Sequence, residues 1–188
     1  MQESEASIYV VGGLPRTGKT TVAERLAHDL RIGSMETDHI RVLFKPTPTS
    51  KIRTDSGEDI KVVTKKLRPR LESLVEWLAN GNIDFVLNGE CIDPRMIAAS
   101  PYQARIRSCF MGLNDPDGAF ARIREVADPS DWANQKSDEE LRRILEKYAA
   151  RSQALAKTCM KLTLPYVDAS ADFTMAQEWV YETLTQGS

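Results

Sequence analysis

A short apolar run, residues 7–12 (SIYVVG), leads directly into Gly13-Leu14-Pro15-Arg16-Thr17-Gly18-Lys19-Thr20, and the chain then takes up helical spacing. The run is short and rich in β-branched side chains, which predicts a buried strand. Over 19–30, Val22, Leu26 and Leu30 fall on one face with Ala23 and Ala27, which predicts an amphipathic helix. The octapeptide between them satisfies G-x-x-x-x-G-K-[ST], the Walker A spacing, at every fixed position. Glycines let the backbone fold around an anion with its N–H groups turned inward. The following helix presents its positive end to the same anion. Lys19 can then reach the outer phosphates of a nucleoside triphosphate, and Thr20 can offer its hydroxyl to Mg²⁺. The competing reading, a Gly- and Pro-containing turn with a chance Gly-Lys-Thr, must explain away both the motif and its strand–helix setting. The expected nucleotide-binding positions are Gly13, Leu14, Pro15, Arg16, Thr17, Gly18, Lys19, Thr20 and Thr21.

The remainder alternates strand and helix, the pattern of an α/β domain with a mostly parallel sheet. Strands are expected at 32–36, 83–87, 104–113 and 164–168, and helices at 39–44, 68–80, 93–100, 116–126, 137–161 and 174–185. Pro69 suits the first turn of the third helix. Ser137-x-x-Glu140 and Thr174-x-x-Gln177 match capping boxes. The stretch 45–58 is polar and turn-rich and reads as a mobile loop. A length of 188 residues favours one domain spanning 1–188.

Parallel α/β sheets gather ligands at the carboxyl ends of their strands. Asp38 should emerge there, after the second strand. Its carboxylate could take a proton from an acceptor hydroxyl or hold Mg²⁺ through water. Arg41, one helical turn on, could grip an anionic acceptor group. The alternative is that Asp38 only caps a short helix. The third strand ends in Asn88-Gly89-Glu90 rather than in an acid directly after the apolar run. Glu90 could supply the missing carboxylate, Asn88 could bond water or acceptor, and Gly89 would allow a ligand close to the backbone; a plain polar turn is the alternative. Lys61, Lys65, Lys66, Arg68 and Arg70 form a basic run. It reads as a solvated helix face or, with Arg53, as a surface attracting an acidic or phosphorylated acceptor.

The order of phosphate loop and then a strand leading into D-x-x-R (Asp38, Arg41) resembles the nucleoside-kinase-like branch of P-loop phosphotransferases. Shikimate kinase, gluconate kinase, polynucleotide 5′-kinase and 2-phosphoglycerate kinase belong to that group. The likeness covers most of the chain in element order, and the 13–20 loop with Asp38 and Arg41 in motif. It implies a three-layer P-loop NTPase fold: a five-stranded parallel sheet of order 2-3-1-4-5, helices on both faces, a mobile acceptor region at 45–58 and a lid at about 122–143. It implies that Asp38 contacts the acceptor hydroxyl and that Arg41 holds the acceptor. It also places the lid's arginines near ATP, with Arg122 as the first choice for an adenine or phosphate contact. Arg124, Arg142, Arg143 and Trp132 are further candidates, although Arg142 and Arg143 also fit a solvated helix face. The turn after the last strand, with Ala169 and Ser170, would lie beside the adenine.

The expected activity is therefore transfer of the γ-phosphate of Mg-ATP to a hydroxyl or phosphate of a small molecule. Lys19, Asp38, Arg41 and Arg122 are the catalytic candidates, and Thr20, Asp38 and Glu90 the Mg²⁺ candidates. A nucleotide-binding or ATP-hydrolysing regulator stays open because of the irregular 88–90 segment, as does a polynucleotide 5′-hydroxyl kinase using the basic run. No N-K-x-D signature is present, which counts against a GTPase. Lys and Arg number 25 and Asp and Glu 27, so the chain lacks the field of a non-specific nucleic-acid binder. Cys91, Cys109 and Cys159 sit among apolar neighbours without metal-ligand spacing, as buried thiols do. The segment MQESEAS lacks the parts of a signal peptide, and no apolar run approaches a membrane span, so a cytoplasmic location without membrane association is expected.

Overall fold

The computed structural model describes residues 7–43, 59–126 and 131–186. The expected loop 45–58 with Arg53, and residues 127–130 of the lid connection, lie outside the described residues.

Five strands form one parallel sheet: β1 (Ile8–Gly13), β2 (Gly33–Glu36), β3 (Phe85–Gly89), β4 (Ile106–Gly112) and β5 (Tyr166–Asp168). Their spatial order is β2-β3-β1-β4-β5, the 2-3-1-4-5 arrangement that the resemblance implies. Every residue of β1 is buried, as its uninterrupted apolar run requires of a central parallel strand. Between the strands run α1 (Lys19–Leu30), α2 (Thr37–Leu43), α3 (Ile60–Asn80), α4 (Pro94–Ala98), α5 (Pro116–Val126), α6 (Asp138–Lys161) and α7 (Phe173–Thr185). One face of the sheet packs Ile8, Val10, Leu87 and Phe110 against Leu67, Leu71 and Leu78 of α3, Ile97 of α4 and Cys159 of α6. The other packs Tyr9, Val11, Val86 and Met111 against Leu26 of α1 and Val180 of α7. A third cluster joins Ile123 of α5 to Leu141 and Leu145 of α6. It includes Ala133 of a 3₁₀ turn, Trp132–Gln135, and so gives α5, that turn and α6 a small core of their own.

Several boundaries differ from the sequence expectation. Helix α3 begins at Ile60, capped by the Asp59 side chain, which accepts from the Lys61 N–H at 2.7 Å. Pro69 therefore lies inside it. The proline is exposed, and packing of Val63 and Leu67 ahead of it carries the helix through the missing hydrogen bond. Strand β3 continues through Asn88 and Gly89, where a polar turn was the alternative, because Asn88 pairs in register with both Val11 and Glu36. Asp172, not Thr174, caps α7, accepting from the Met175 N–H at 2.9 Å. The capping box at Ser137 forms with both of its bonds.

The three cysteines are buried, and burial pushes their thiols up, Cys91 to about 11 and Cys109 and Cys159 to about 12. No helix of the described residues is long and apolar enough to cross a membrane.

Candidate active site at the carboxyl edge of the sheet

The 13–20 segment leaves β1 between β3 and β4, at the carboxyl edge. The Leu14 N–H donates to the Met111 carbonyl at 3.0 Å, which pins the loop to β4. Gly13 sits at φ +131°, and a Cβ there would fall 2.0 Å from the Met111 oxygen. Gly18 sits at φ +86°, with Gln177 Nε2 only 2.3 Å from where a Cβ would be. Both motif glycines are thus demanded by backbone angle and by close neighbours. In α3, α4, α6 and α7 a backbone N–H of the first turn donates to the helix's own N-cap side chain. Helix α1 has no such bond: its cap is Gly18, and its first turn carries no acid. Its leading N–H groups stay directed at the loop, where an anion would complete them.

Lys19 is buried, and its ammonium donates to the Leu14 carbonyl of its own loop. The same carbonyl accepts from the Thr17 hydroxyl at 2.9 Å. Burial lowers the Lys19 pKa from 10.5 to about 8; Glu90, Glu36 and Asp38 pull it back upward, in that order of strength. This lysine therefore stands among three carboxylates drawn from β2, the start of α2 and the end of β3. Thr20 is exposed at the start of α1, and its hydroxyl lies 3.5 Å from Glu36 Oε1. Thr21 is also exposed and Pro15 half-buried. Among the described residues no group of three or more His, Cys, Asp or Glu side chains could hold a metal ion. The oxygen donors around Thr20 are all hard, the kind Mg²⁺ takes while keeping waters and phosphate oxygens. The residues present thus fit Mg²⁺ as a companion of bound phosphate.

Beside the loop lies a cavity of about 520 Å³, walled by Arg16, Lys19, Thr20, Arg122, Asp131 and Phe173. Of the four lid arginines, only Arg122 lines it. Arg122 donates to the Ala169 carbonyl at 2.9 Å and to the Arg16 carbonyl at 3.1 Å, and its guanidinium lies 4.4 Å from the Phe173 ring centre. Burial lowers its pKa, against the pull of Asp168. Arg124 instead ties together the 3₁₀ turn and the start of α6, through Ala133, Lys136 and Asp138. Arg142 pairs with Asp117 and Arg143 with Glu139, the solvated helix face that was the alternative for both. Arg16, at φ +64°, pairs with Asp131, and its guanidinium lies 5.2 Å from the Trp132 ring centre. That bond holds the Asp131 carboxyl below its ordinary range.

The turn after β5 is occupied by internal bonds. The Ala169 N–H donates to the Gly112 carbonyl at 2.9 Å, its carbonyl accepts from Arg122, and the Ser170 N–H donates to Asp168 at 3.0 Å. Burial raises the Asp168 pKa, but hydrogen bonds from Ser170 and Asn114 outweigh it and leave the carboxyl below its usual range. Ala169 thus braces Arg122 at the wall of this cavity, while Ser170 bonds Asp168 and the backbone N–H groups of Asn114 and Asp115.

On the other side of the loop, Asp38 is exposed in the first turn of α2, where a negative charge also suits the helix dipole. Arg41 is half-buried on the same helix. The space beside Gly89 is filled by Thr37, whose Oγ1 would lie 1.9 Å from an added Cβ, so a side chain of α2 makes the close approach there. The Cys91 N–H donates to that same hydroxyl at 3.4 Å. Asn88 is buried, and its Nδ2 has no hydrogen-bond partner among the described residues. Glu90 pairs with Arg151 of α6.

Sequence reasoning did not single out Glu36, Asp131, Phe173 or Arg151. Glu36 stood two residues before Asp38, and strand alternation could have turned it toward Thr20. Arg151 carried no local signal, since its place in the site depends on how α6 crosses the sheet.

No family model and no curated protein sequence matches this chain. Solved structures do. Shikimate kinase from Bacteroides thetaiotaomicron superposes with a TM-score of 0.55 at 15% identity, over 96% of this chain and 97% of that one. A gluconokinase from Sinorhizobium meliloti 1021 gives 0.53 at 14%, over 97% and 93%. A sugar kinase from Janibacter sp. HTCC2649 gives 0.51 at 17%, over 94% and 91%. The five-stranded sheet and its surrounding helices match the P-loop kinase fold of these neighbours.

Proposed function

We propose that this protein is a small-molecule kinase that transfers the γ-phosphate of ATP to an acceptor hydroxyl. The observation that carries the reading is the 13–20 loop: a glycine-bounded backbone cradle, an uncapped helix end and a buried lysine share one anion-sized hollow. The neighbours named as kinases support it through the fold.

Phosphoryl transfer asks a protein mainly for positioning and charge stabilisation. The N–H groups of the loop and of α1 hold the phosphate chain. Lys19 releases the Leu14 carbonyl and turns its ammonium to the outer phosphate. Arg122, half-buried against Phe173, adds a second cation from the lid side and limits water in the cavity. Asp38 orients the acceptor hydroxyl and accepts its proton, with Arg41 holding the acceptor. Mg²⁺ would be held by Thr20 with Asp38, Glu90 and Glu36 around it, and when bound it supplies positive charge to the phosphate oxygens.

The test is release of ADP from Mg-ATP across a panel of hydroxyl-bearing metabolites, with Lys19→Ala as the blank. One or more panel members should raise ADP release above both the acceptor-free rate and the blank. An acceptor-free ATPase rate that no hydroxyl compound increases would favour the regulator instead.

A further inference from the structure

Arg16 fills a variable position of the G-x-x-x-x-G-K-[ST] spacing, yet its backbone sits at φ +64°. Glycine adopts that region freely, and a residue with a Cβ adopts it only where its surroundings hold it there. Three contacts hold Arg16, and all of them come from the stretch between α5 and α6. Its guanidinium pairs with Asp131 and lies 5.2 Å from the Trp132 ring centre. Its carbonyl accepts from the Arg122 guanidinium at 3.1 Å. Asp131 is itself well fixed. It is the N-cap of the Trp132–Gln135 turn and accepts from the Ala133 N–H at 3.0 Å. Ala133 is fully buried beside Ile123 of α5 and Leu141 and Leu145 of α6.

The Arg16–Asp131 pair joins positions 115 residues apart, and it does so at the edge of the site. Arg16, Asp131 and Arg122 all line the 520 Å³ cavity beside the phosphate loop, with Lys19 and Thr20. The pair is made while that cavity stands open, so it forms part of the wall and does not plug it. Its side chains are only 27% and 17% exposed, so salt screens it less than it would a pair on the open surface. A bond that merely fastened the turn to the body of the protein could use any surface residue. This one uses a residue inside the phosphate loop, in a backbone conformation that its side chain disfavours. The same residue also accepts a bond from Arg122, the arginine that faces the cavity. Loop, turn and arginine therefore meet at one point.

We infer that Arg16 is a positioning residue for the nucleotide: through Asp131 and Trp132 it docks the Trp132–Gln135 turn against the phosphate loop, and so completes the cavity wall before nucleotide arrives. This deepens the kinase reading and rests on it. Arg16 acts through the turn and through Arg122, whose place in the wall its carbonyl helps to set. A wall docked in advance lowers the ordering cost of binding, so loss of the pair weakens nucleotide binding although the cradle itself is intact.

The test uses the full-length protein labelled with 5-fluorotryptophan. Its three tryptophans, Trp77, Trp132 and Trp179, give three ¹⁹F resonances, and Trp132→Phe assigns the one that matters. Two variants break the pair gently. Arg16→Gly keeps the backbone at ease at φ +64°, and Asp131→Asn keeps a residue that caps the turn. In the nucleotide-free protein each should displace the Trp132 resonance and enlarge its H₂O/D₂O solvent shift, while the resonances of Trp77 and Trp179 stay in place and report an intact fold. Calorimetry should show Mg-ADP bound at least fivefold more weakly by each variant, and no more weakly still by the double variant, since the two residues act as one unit. A Trp132 resonance unmoved by both variants, unchanged Mg-ADP affinity, or losses that add in the double variant would overturn the inference. A wild-type protein that binds no Mg-ADP would strike the kinase reading, and the nucleotide role of Arg16 with it, even where the Trp132 resonance moves as expected.

Discussion

On one side of the crevice, eight consecutive residues supply the cradle, and most of its donors are backbone N–H groups fixed by two glycines and a helix end. On the other side, a cavity of about 560 Å³ is walled by Lys61, Lys65 and Arg68 of α3, Arg95 of α4 and Arg151 of α6, segments far apart in the chain. On the proposed reading the first surface would recognise what all nucleoside triphosphates share, and backbone alone suffices for that. The second is built from side chains, whose identity and placement decide what it can hold. The contrast extends to charge. Lys19 is buried and partly stripped of solvent, so its interactions act at short range and at full strength. Lys61, Lys65 and Arg95 are exposed, so theirs are screened by salt.

The heaviest damage should come from the cradle. Lys19→Ala should cut kcat/KM by about 10²–10³-fold, the scale of losing one preorganised charge at a transition state. Steady-state assays read this directly, and a loss below tenfold would remove Lys19 from the chemistry. Asp38→Asn should lower kcat by about 10²-fold, as expected for a positioned general base, while the Kd for nucleotide stays within about twofold. If Glu90→Gln reproduces that split and Asp38→Asn does not, the proton acceptor belongs to the end of β3. Gly18→Ala comes next: strain at φ +86° and the approach to Gln177 should cost about 1–3 kcal/mol, seen as a lowered Tm with weakened nucleotide binding.

Arg122→Ala should weaken nucleotide binding about tenfold through lost hydrogen bonds to the Ala169 and Arg16 carbonyls, with little change in acceptor KM. Equal effects on both substrates would mean that the lid arginine serves the acceptor side too. The smallest effect is a proton. Folded, nucleotide-free Lys19 titrates near 8 and the unfolded chain's lysine near 10.5, so the unfolded state holds more protons between those values. Stability should accordingly rise as pH climbs from about 8 to 10.5, a gain absent in Lys19→Met. Phosphate binding restores the charge, so calorimetry in buffers of different ionisation enthalpy at about pH 8.5 should show up to about one proton taken up per nucleotide.

This asymmetry explains what could be read from the chain. The cradle is local: strand, glycines, lysine and helix follow one another, and Lys19–Leu30 forms over the expected bounds. Alternation of strand and helix pointed to a parallel sheet, whereas the strand order 2-3-1-4-5 came only from what the resemblance implies. Pro69 misled the start of α3 because a proline inside a helix and one at its first turn look alike until tertiary packing chooses. Asn88 and Gly89 left the strand end open, with a polar turn as the alternative to a site role, because a polar residue and a glycine after an apolar run do not show that both neighbouring strands pair with them. The three cations at 61, 65 and 68 were visible as helix-spaced charges, but no spacing could say that α4 and α6 would close a cavity around them. Arg151 enters the site only through the path of a 24-residue helix.

The central claim is that the 13–20 loop and the first turn of α1 receive the phosphates of a nucleotide. Titration of ¹⁵N-labelled protein with Mg-ADP tests it most directly. The account predicts that the backbone amides of Gly13 and Leu14 and of Arg16 through Thr20 shift most and saturate together, and that Lys19→Ala sharply reduces the affinity read from them. Saturable binding that leaves those amides unmoved, with the largest shifts elsewhere, would contradict it.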